Sequence, residues 1–495
     1  MPYGLKDIEL EKLSKVFAAN ERIERVVLYG SRAKGNYKPF SDVDITMMGS
    51  ELTHTDLNRI SLAIDDLLLP YQFDISIFHT LKNEALIDHI HRVGITIYER
   101  ESEWKEYKLG ELIKDIAAGP FGSNLKVECF VESGFPIIDG ANLKGIKVTD
   151  NITKYVTEKK ARSLHRAIAK RNDIVVTISG NLGQIAYIPD NSKYFEYLVS
   201  QRQFRATFDE TKVDVPFLVY YFHTRGGQHK ILSFANQVGV PALAQPIKNF
   251  REIELELPPI DKQRRIAGVL SSLDDKKDLL RRENATLEAM AESLFRQWFV
   301  VEAKEEWEEG KLGDWVVIKR GGSPRPINDY IAPSGYRWLK ISDVTNLNSP
   351  YIFQTKEYIK ESGLQKTVYL RKGSLVLSNS ATPGIPKILC VDSCIHDGWL
   401  YFPKSSFSKI YLYLLFKYIR EDLVNLGNGS IFTNLKTEIL KDYKVVKPDA
   451  KTLENFDHHV QPIFDKLYSN DIQIQTLIQT RDGLLPRLMG GKIKL

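Results

Sequence analysis

Between Pro258 and Val301 the chain reads PPIDKQRRIAGVLSSLDDKKDLLRRENATLEAMAESLFRQWFV. Beyond the two prolines this stretch has no Pro and a single Gly, Gly268, and Ile266, Leu273, Leu280, Leu287 and Leu294 recur at every seventh place. Val269, Leu270, Met290, Ala291 and Trp298 partly fill a second seam, and charged residues take most other positions. A stripe this narrow on a charged helix needs a partner helix, because it cannot face a broad core. The predicted rod is about 55 Å long at 1.5 Å per residue. A matching pattern runs from Thr452 to Met489, where Leu453, Val460, Leu467, Ile474 and Leu488 keep the heptad and Arg481 interrupts it. Phe456, Ile463, Leu477 and Leu484 supply the second seam, and Pro462 and Pro486 predict a kink or break. The two stripes suit an antiparallel coiled coil.

What precedes each helix also occurs twice. EWKEYKLGEL (103–112) is echoed by EWEEGKLGDW (306–315), and NDIVVTISGNLGQIAYI (172–188) by GSLVLSNSATPGIPKIL (373–389). A fainter echo links 233–260 with 425–450. A strand-rich globule followed by a long helix is therefore present in two copies, which predicts approximate internal twofold symmetry. Two diverged copies keep similar shapes while their surface chemistry differs.

The first hundred residues follow another pattern. Helix, strand and helix signals alternate: helix at 8–18, strand at 23–29, strand at 43–47, helix at 56–69 and strand at 73–78. The dense motif is LYGSRAKGNYKPFSDVDI, 28–45. Gly30 and Ser31 end a strand and open a helix, where free backbone N–H groups can hold a triphosphate. Asp42 and Asp44 flank Val43 and share one face of a strand, the spacing a Mg2+ ion bridging nucleotide phosphates needs. Asp74, on the next strand, is suited to activate a hydroxyl as general base and completes the carboxylate set for the metal.

Composition changes the picture only in part. Of 68 basic and 63 acidic residues, Met1–Arg100 holds 12 and 15 and the remainder 56 and 48, so the net charge passes from −3 to +8. That asymmetry places phosphate-binding surface in the repeat region, although +8 on so long a stretch is modest. Cys129, Cys390 and Cys394 form neither a disulfide framework nor a C-x-x-C pair, which fits a reducing cytoplasm. The N-terminus lacks a signal-peptide core, and the most apolar window, 410–419, is too short to span a membrane. Neither a Walker motif nor N-P-P-[FY] is present.

Two family resemblances follow from these residues. Gly30-Ser31 with Asp42-Val43-Asp44, Asp74 and the closing GITIYER resembles the minimal nucleotidyltransferases of the polymerase-beta-like superfamily, over nearly the whole of 1–100. The W-x-x-x-x-LG openings at Trp104 and Trp307, GPFGSNLK (119–126), LPPIDKQRRIAGVLSSLDDKKDLL (257–280) and LLPRLMGGKI (484–493) resemble the specificity subunit of type I DNA restriction–modification systems.

The resemblances imply an α+β multidomain chain. It would comprise a nucleotidyltransferase-like domain (1–100), a target-recognition domain (103–258), a central helix (259–303), a second target-recognition domain (306–447) and a C-terminal helix (451–495), with the two helices paired. They further imply Mg2+ and NTP at the first domain and a bipartite target in double-stranded DNA. Two methyltransferase subunits would bring S-adenosylmethionine, and motor-nuclease subunits ATP. Candidate DNA contacts are polar residues on Gly-rich or strand-end loops: Asn124, Lys126, Asn181, Gln184, Arg202 and Lys248 in the first copy, and Arg325, Lys340, Asn379 and Asn434 in the second. The competing reading is a nucleotidyltransferase whose repeat region selects a protein or RNA acceptor.

Overall fold

The structure is a computed structural model and describes residues 2–38, 40–49, 51–100, 104–236, 240–345, 347–427 and 435–491. The chain divides into two compact units, Met1–Lys108 with Glu254–Pro259, and Leu109–Ile253 with Ile260–Leu495. No helix among the described residues is long and apolar enough to cross a membrane.

In the first unit, Phe73–Ile77, Val43–Met48, Arg25–Tyr29 and Ile95–Glu99 lie side by side in that order as one sheet. Only the pair 43–48 and 73–77 is parallel. Alternation along Arg25–Tyr29 sends Val26 and Leu28 to one face, where they pack with Leu13 and Phe17 of helix Asp7–Ala18 and Ile60 and Ile64 of helix His54–Asp65. Val27 and Tyr29 go to the other face, against Ile90 and Leu86 of helix Glu84–Val93. The central strands Arg25–Tyr29 and Val43–Met48 therefore bury both faces, and the motif residues sit at strand ends.

The second unit repeats its sheets. In the first copy Ile113–Ala118, Gln203–Phe208, Ile174–Thr177 and Ile185–Tyr187 are neighbours in that order, and in the second Val316–Arg320, Trp399–Ser405, Leu375–Ser378 and Pro386–Leu389 repeat it. The correspondence reaches single hydrogen bonds. Gly119 N–H donates to Gln203 O at 2.8 Å, as Gly321 N–H does to Trp399 O at 2.8 Å. Ile178 N–H donates to Arg202 O at 2.7 Å, as Asn379 N–H does to Gly398 O at 2.9 Å. At both 119 and 321 a Cβ would stand about 2 Å from a carbonyl oxygen, 1.9 Å from that of Ser200 and 2.2 Å from that of His396. Close backbone approach requires glycine twice.

The long helices run Ile260–Arg296 and Ala450–Met489. They are antiparallel: Asp274 meets Arg481, Asn284 meets Asp471, and the Trp298 and Phe456 rings lie 5.7 Å apart. The second helix continues through Pro462 and Pro486, so of the expected kink or break the break does not occur. Around Pro462 the fully buried Phe456, Val460, Phe464 and Leu467 hold the seam and offset one lost backbone hydrogen bond. Met290 is half exposed and does not fill the seam; Asn284 and Asp274 are buried in it instead.

Candidate functional sites

In the first unit, Asp44 and Asp74 are paired directly across the two parallel strands, and Tyr29 faces Asp44 from the other side. Gly30 adopts φ +74°, and a Cβ there would stand 2.1 Å from Asp44 Oδ2. Glycine at this place is thus dictated by the carboxylate as well as by the turn. Ser31 stands in the first turn of the short helix Gly30–Lys34. Burial, and then the negative charges of Asp74 and Asp42, push the Asp44 carboxyl above the usual range, while Arg32 and His89 offset part of this. The negative charges of Asp74 and Asp42 thus make ionisation of Asp44 costlier, a cost that a hard divalent cation relieves. Among the described residues no group of three or more His, Cys, Asp or Glu side chains is arranged to hold a metal ion, so the three are neighbours without a closed ligand shell.

Sequence reading passed over Arg32. Its side chain is 1% exposed, and it donates from Nε to Ser41 O (3.1 Å) and Asp42 O (3.0 Å) and from Nη1 to Tyr3 O (3.1 Å). The guanidinium also lies over the rings of Tyr37 and Tyr71, 5.3 and 4.8 Å from their centroids. This buried cation ties the loop that carries Asp42 to the helix that follows Gly30. Only its place inside the motif could have signalled it.

In the second unit the candidate DNA contacts divide by environment. Asn124, Lys126, Asn181, Arg202 and Lys248 are exposed on loops or the short helix Pro246–Arg251. Gln184 is held inside the first copy, accepting from Thr177 Oγ1 at 3.0 Å and donating to Gly140 O at 3.0 Å. Asn379 is 3% exposed, with Nδ2 on Asp397 O (3.2 Å) and Oδ1 buried without a partner. Both lie against the expectation of free loop side chains, because their strand ends turn inward. Asn434 lies outside the described residues.

Arg325 and Lys340 line one cleft of about 710 Å³ together with Pro324, Trp338 and His396. Arg325 bonds Asp397 at 3.2 Å, and Lys340 bonds Glu357 at 2.5 Å. Burial raises the Asp397 carboxyl, but the Ser323 hydroxyl and the Arg320 charge outweigh it and hold the group below the usual range. Burial lowers the His396 imidazole, and its Nδ1 accepts from Gly398 N–H at 2.8 Å, which leaves Nε2–H of the neutral ring as a donor. An apolar floor with a rim of donors and acceptors is the kind of surface that orients a polar ligand.

An internally duplicated globule-and-helix fold with polar loops at equivalent strand ends defines a two-headed recognition protein. The type I restriction modification DNA specificity domain matches residues 101–289 and 304–480, and polymerase beta nucleotidyltransferase matches residues 11–103. The chain belongs to the type I restriction–modification specificity family and carries an N-terminal nucleotidyltransferase domain. It is 24% identical over 441 residues to the type I restriction enzyme MjaIX specificity subunit of Methanocaldococcus jannaschii, covering 80% of this chain and 97% of that one. Over 479 residues it is 22% identical to the HindI specificity subunit of Haemophilus influenzae, covering 79% and 100%. The crystal structure of the type I S subunit from M. genitalium superposes with a TM-score of 0.51 at 16% identity, covering 78% and 96%, a likeness of fold.

Proposed function

We propose that the second unit reads a bipartite DNA target, one half-site per copy, and that its paired helices dock two methyltransferase subunits. Those subunits would bring S-adenosylmethionine, and motor-nuclease subunits would add ATP-driven restriction, all in the cytoplasm. The observation that supports this best is the duplication itself: two copies of one fold, alike down to single backbone hydrogen bonds, beside an antiparallel helix pair. Such a scaffold presents two similar surfaces at a fixed separation, as two half-sites on one face of a duplex require. Exposed Arg202, Lys126 and Lys248 would grip phosphates or base edges, whereas Gln184 and Asn379 would shape the loops from within.

The test is to sequence methylated DNA from cells carrying this chain with its modification and restriction partners. Two short defined half-sites around a fixed unspecified gap are expected; a single unbroken motif would overturn the reading. The chain alone, given S-adenosylmethionine and DNA, should transfer no methyl group.

We further propose that the first unit binds Mg2+ and NTP. Asp42 and Asp44 would hold the ion with Asp74, and the N–H groups at Gly30 and Ser31 would meet the phosphates. The ion would supply charge neutralisation at the phosphates. Asp74 would take the proton of an acceptor hydroxyl, while Gly30 leaves room for the Asp44 carboxylate and Arg32 fixes the loop behind Asp42. The pairing of Asp44 with Asp74 across the parallel strands, with Gly30 packed on the Asp44 carboxylate, favours this reading over a domain kept for protein contact alone.

A further inference from the structure

The two copies carry one ion pair at the same place in opposite polarity. In the first copy Phe135 and Pro136 pair with Val156 and Tyr155, and Ile137 N–H donates to Lys154 O at 3.0 Å. In the second, Tyr336, Arg337 and Trp338 pair with Ile359, Tyr358 and Glu357. The register makes Lys154 equivalent to Glu357. The strands Phe135–Ile138 and Tyr336–Leu339 each begin after a glycine of positive φ, Gly134 (+151°) and Gly335 (+133°), whose Cβ would strike Val156 O and Ile359 O. The residue leaving the strand is therefore Asp139 in one copy and Lys340 in the other.

These two residues bond across to the equivalent partners. Asp139 Oδ2 accepts from Lys154 Nζ at 2.8 Å; Lys340 Nζ donates to Glu357 Oε1 at 2.5 Å. The pair has been inverted while the backbone around it is unchanged.

Stability does not account for the inversion. The side chains are 24–48% exposed, and an exposed cross-strand ion pair contributes little in either polarity. Position does account for it. Lys340 lines the cleft with Arg325, Trp338 and His396, and its ammonium has two N–H groups beyond the one given to Glu357. Asp139 accepts from Lys154 and from Ala141 N–H (2.9 Å), which leaves acceptor capacity on its carboxylate. It adjoins Gly140, whose carbonyl holds Gln184. One copy thus presents a surplus donor where the other presents a surplus acceptor.

We propose that this inverted pair is a specificity determinant: Lys340 reads an acceptor edge, guanine O6/N7 or thymine O4, in the half-site of the second copy, and Asp139 reads a donor edge, cytosine N4 or adenine N6, in that of the first. Only the assignment of the chain to bipartite DNA reading underlies this. The two edges are distinguishable in the major groove, and a good bidentate contact discriminates against the wrong base by about 5- to 150-fold.

The experiment inverts the pair in place, Lys340→Asp with Glu357→Lys, in the complete methylating complex, and determines the methylated motif. At one position of one half-site the base required should change from guanine or thymine to cytosine or adenine, with the other half-site unaltered. Asp139→Lys with Lys154→Glu should do the converse in the other half-site. The neutral Lys340→Met with Glu357→Gln should relax that same position without replacing its base, and this variant decides the matter should the inverted chain fail to assemble. An unchanged motif in the neutral variant overturns the proposal, as does a uniform weakening at all sites, which would make Lys340 a phosphate contact. Absence of any bipartite motif with the unaltered chain would instead refute the DNA-reading assignment.

Discussion

Asn284 of the first long helix donates from Nδ2 to Oδ1 of Asp471 on the second at 3.0 Å, and accepts from Asn470 Nδ2 at 2.9 Å. All three are buried, and Ser349 of the second copy donates to the other oxygen of Asp471. A polar layer inside an apolar seam fixes register, because any slip leaves its groups without partners. Arg481, which breaks the heptad, reaches Asp274 Oδ1 at 2.8 Å and gives a second polar level.

Asn284→Leu should therefore strand Asp471 and Asn470 in the interior. A loss of about 1–3 kcal/mol is expected from the unsatisfied groups. Denaturant unfolding of the intact chain, followed by far-UV circular dichroism, measures it; unchanged stability would mean that the layer carries no constraint.

The same register makes the helices a ruler. Leu280 and Ile474 fall at one level between the Asp274–Arg481 and Asn284–Asp471 contacts. Seven residues inserted after each should preserve the seam and lengthen the rod by about 10 Å. The methylated motif should keep both half-sites and gain about three unspecified base pairs between them. Altered half-sites around an unaltered gap would show that the helices do not set the spacing.

Asp42→Ala with Asp44→Ala should abolish metal-dependent nucleotide binding by the intact chain, read by calorimetric titration with Mg-NTP. Sequence-specific methylation by the full complex should persist. A folded double variant that lost methylation would show that the two functions are coupled.

Gly30→Ala tests the same site by shape. The added Cβ must displace the Asp44 carboxylate and accept φ +74°, at a cost of about 1–3 kcal/mol. Nucleotide affinity should fall with stability, whereas Gly35→Ala, also at positive φ but with nothing within 4 Å of its Cβ, should lower stability alone.

Lys387 gives a pH signature. Its side chain is buried, with Nζ donating to Leu347 O (2.8 Å) and Ser349 O, and burial pulls it from 10.5 down to about 8. Between about 8 and 10.5 the unfolded chain holds the proton and the folded chain does not, so this group makes stability rise with pH across that window. The unfolding free energy of the wild type relative to Lys387→Met should shift in favour of the wild type from pH 8 to pH 10. Parallel profiles would show that the folded lysine keeps an ordinary affinity for protons.

The sequence by itself determined the long helices, the duplication and the strand-end placement of Gly30, Asp42, Asp44 and Asp74. Each follows from a local period or a short spacing, and those survive in one dimension. It left a break open at Pro462 because the seam that holds the helix through it comes from packing. It chose Met290 over Asn284 because heptad counting prefers apolar residues and cannot see a partner at Asp471, 187 positions away. Arg32, Gln184 and Asn379 hydrogen-bond to backbone carbonyls that only the folded chain brings near them. The meeting of Arg325 with Lys340, and the inversion of Asp139–Lys154 into Lys340–Glu357, were decided by tertiary structure, since strand register alone sets which charges face each other.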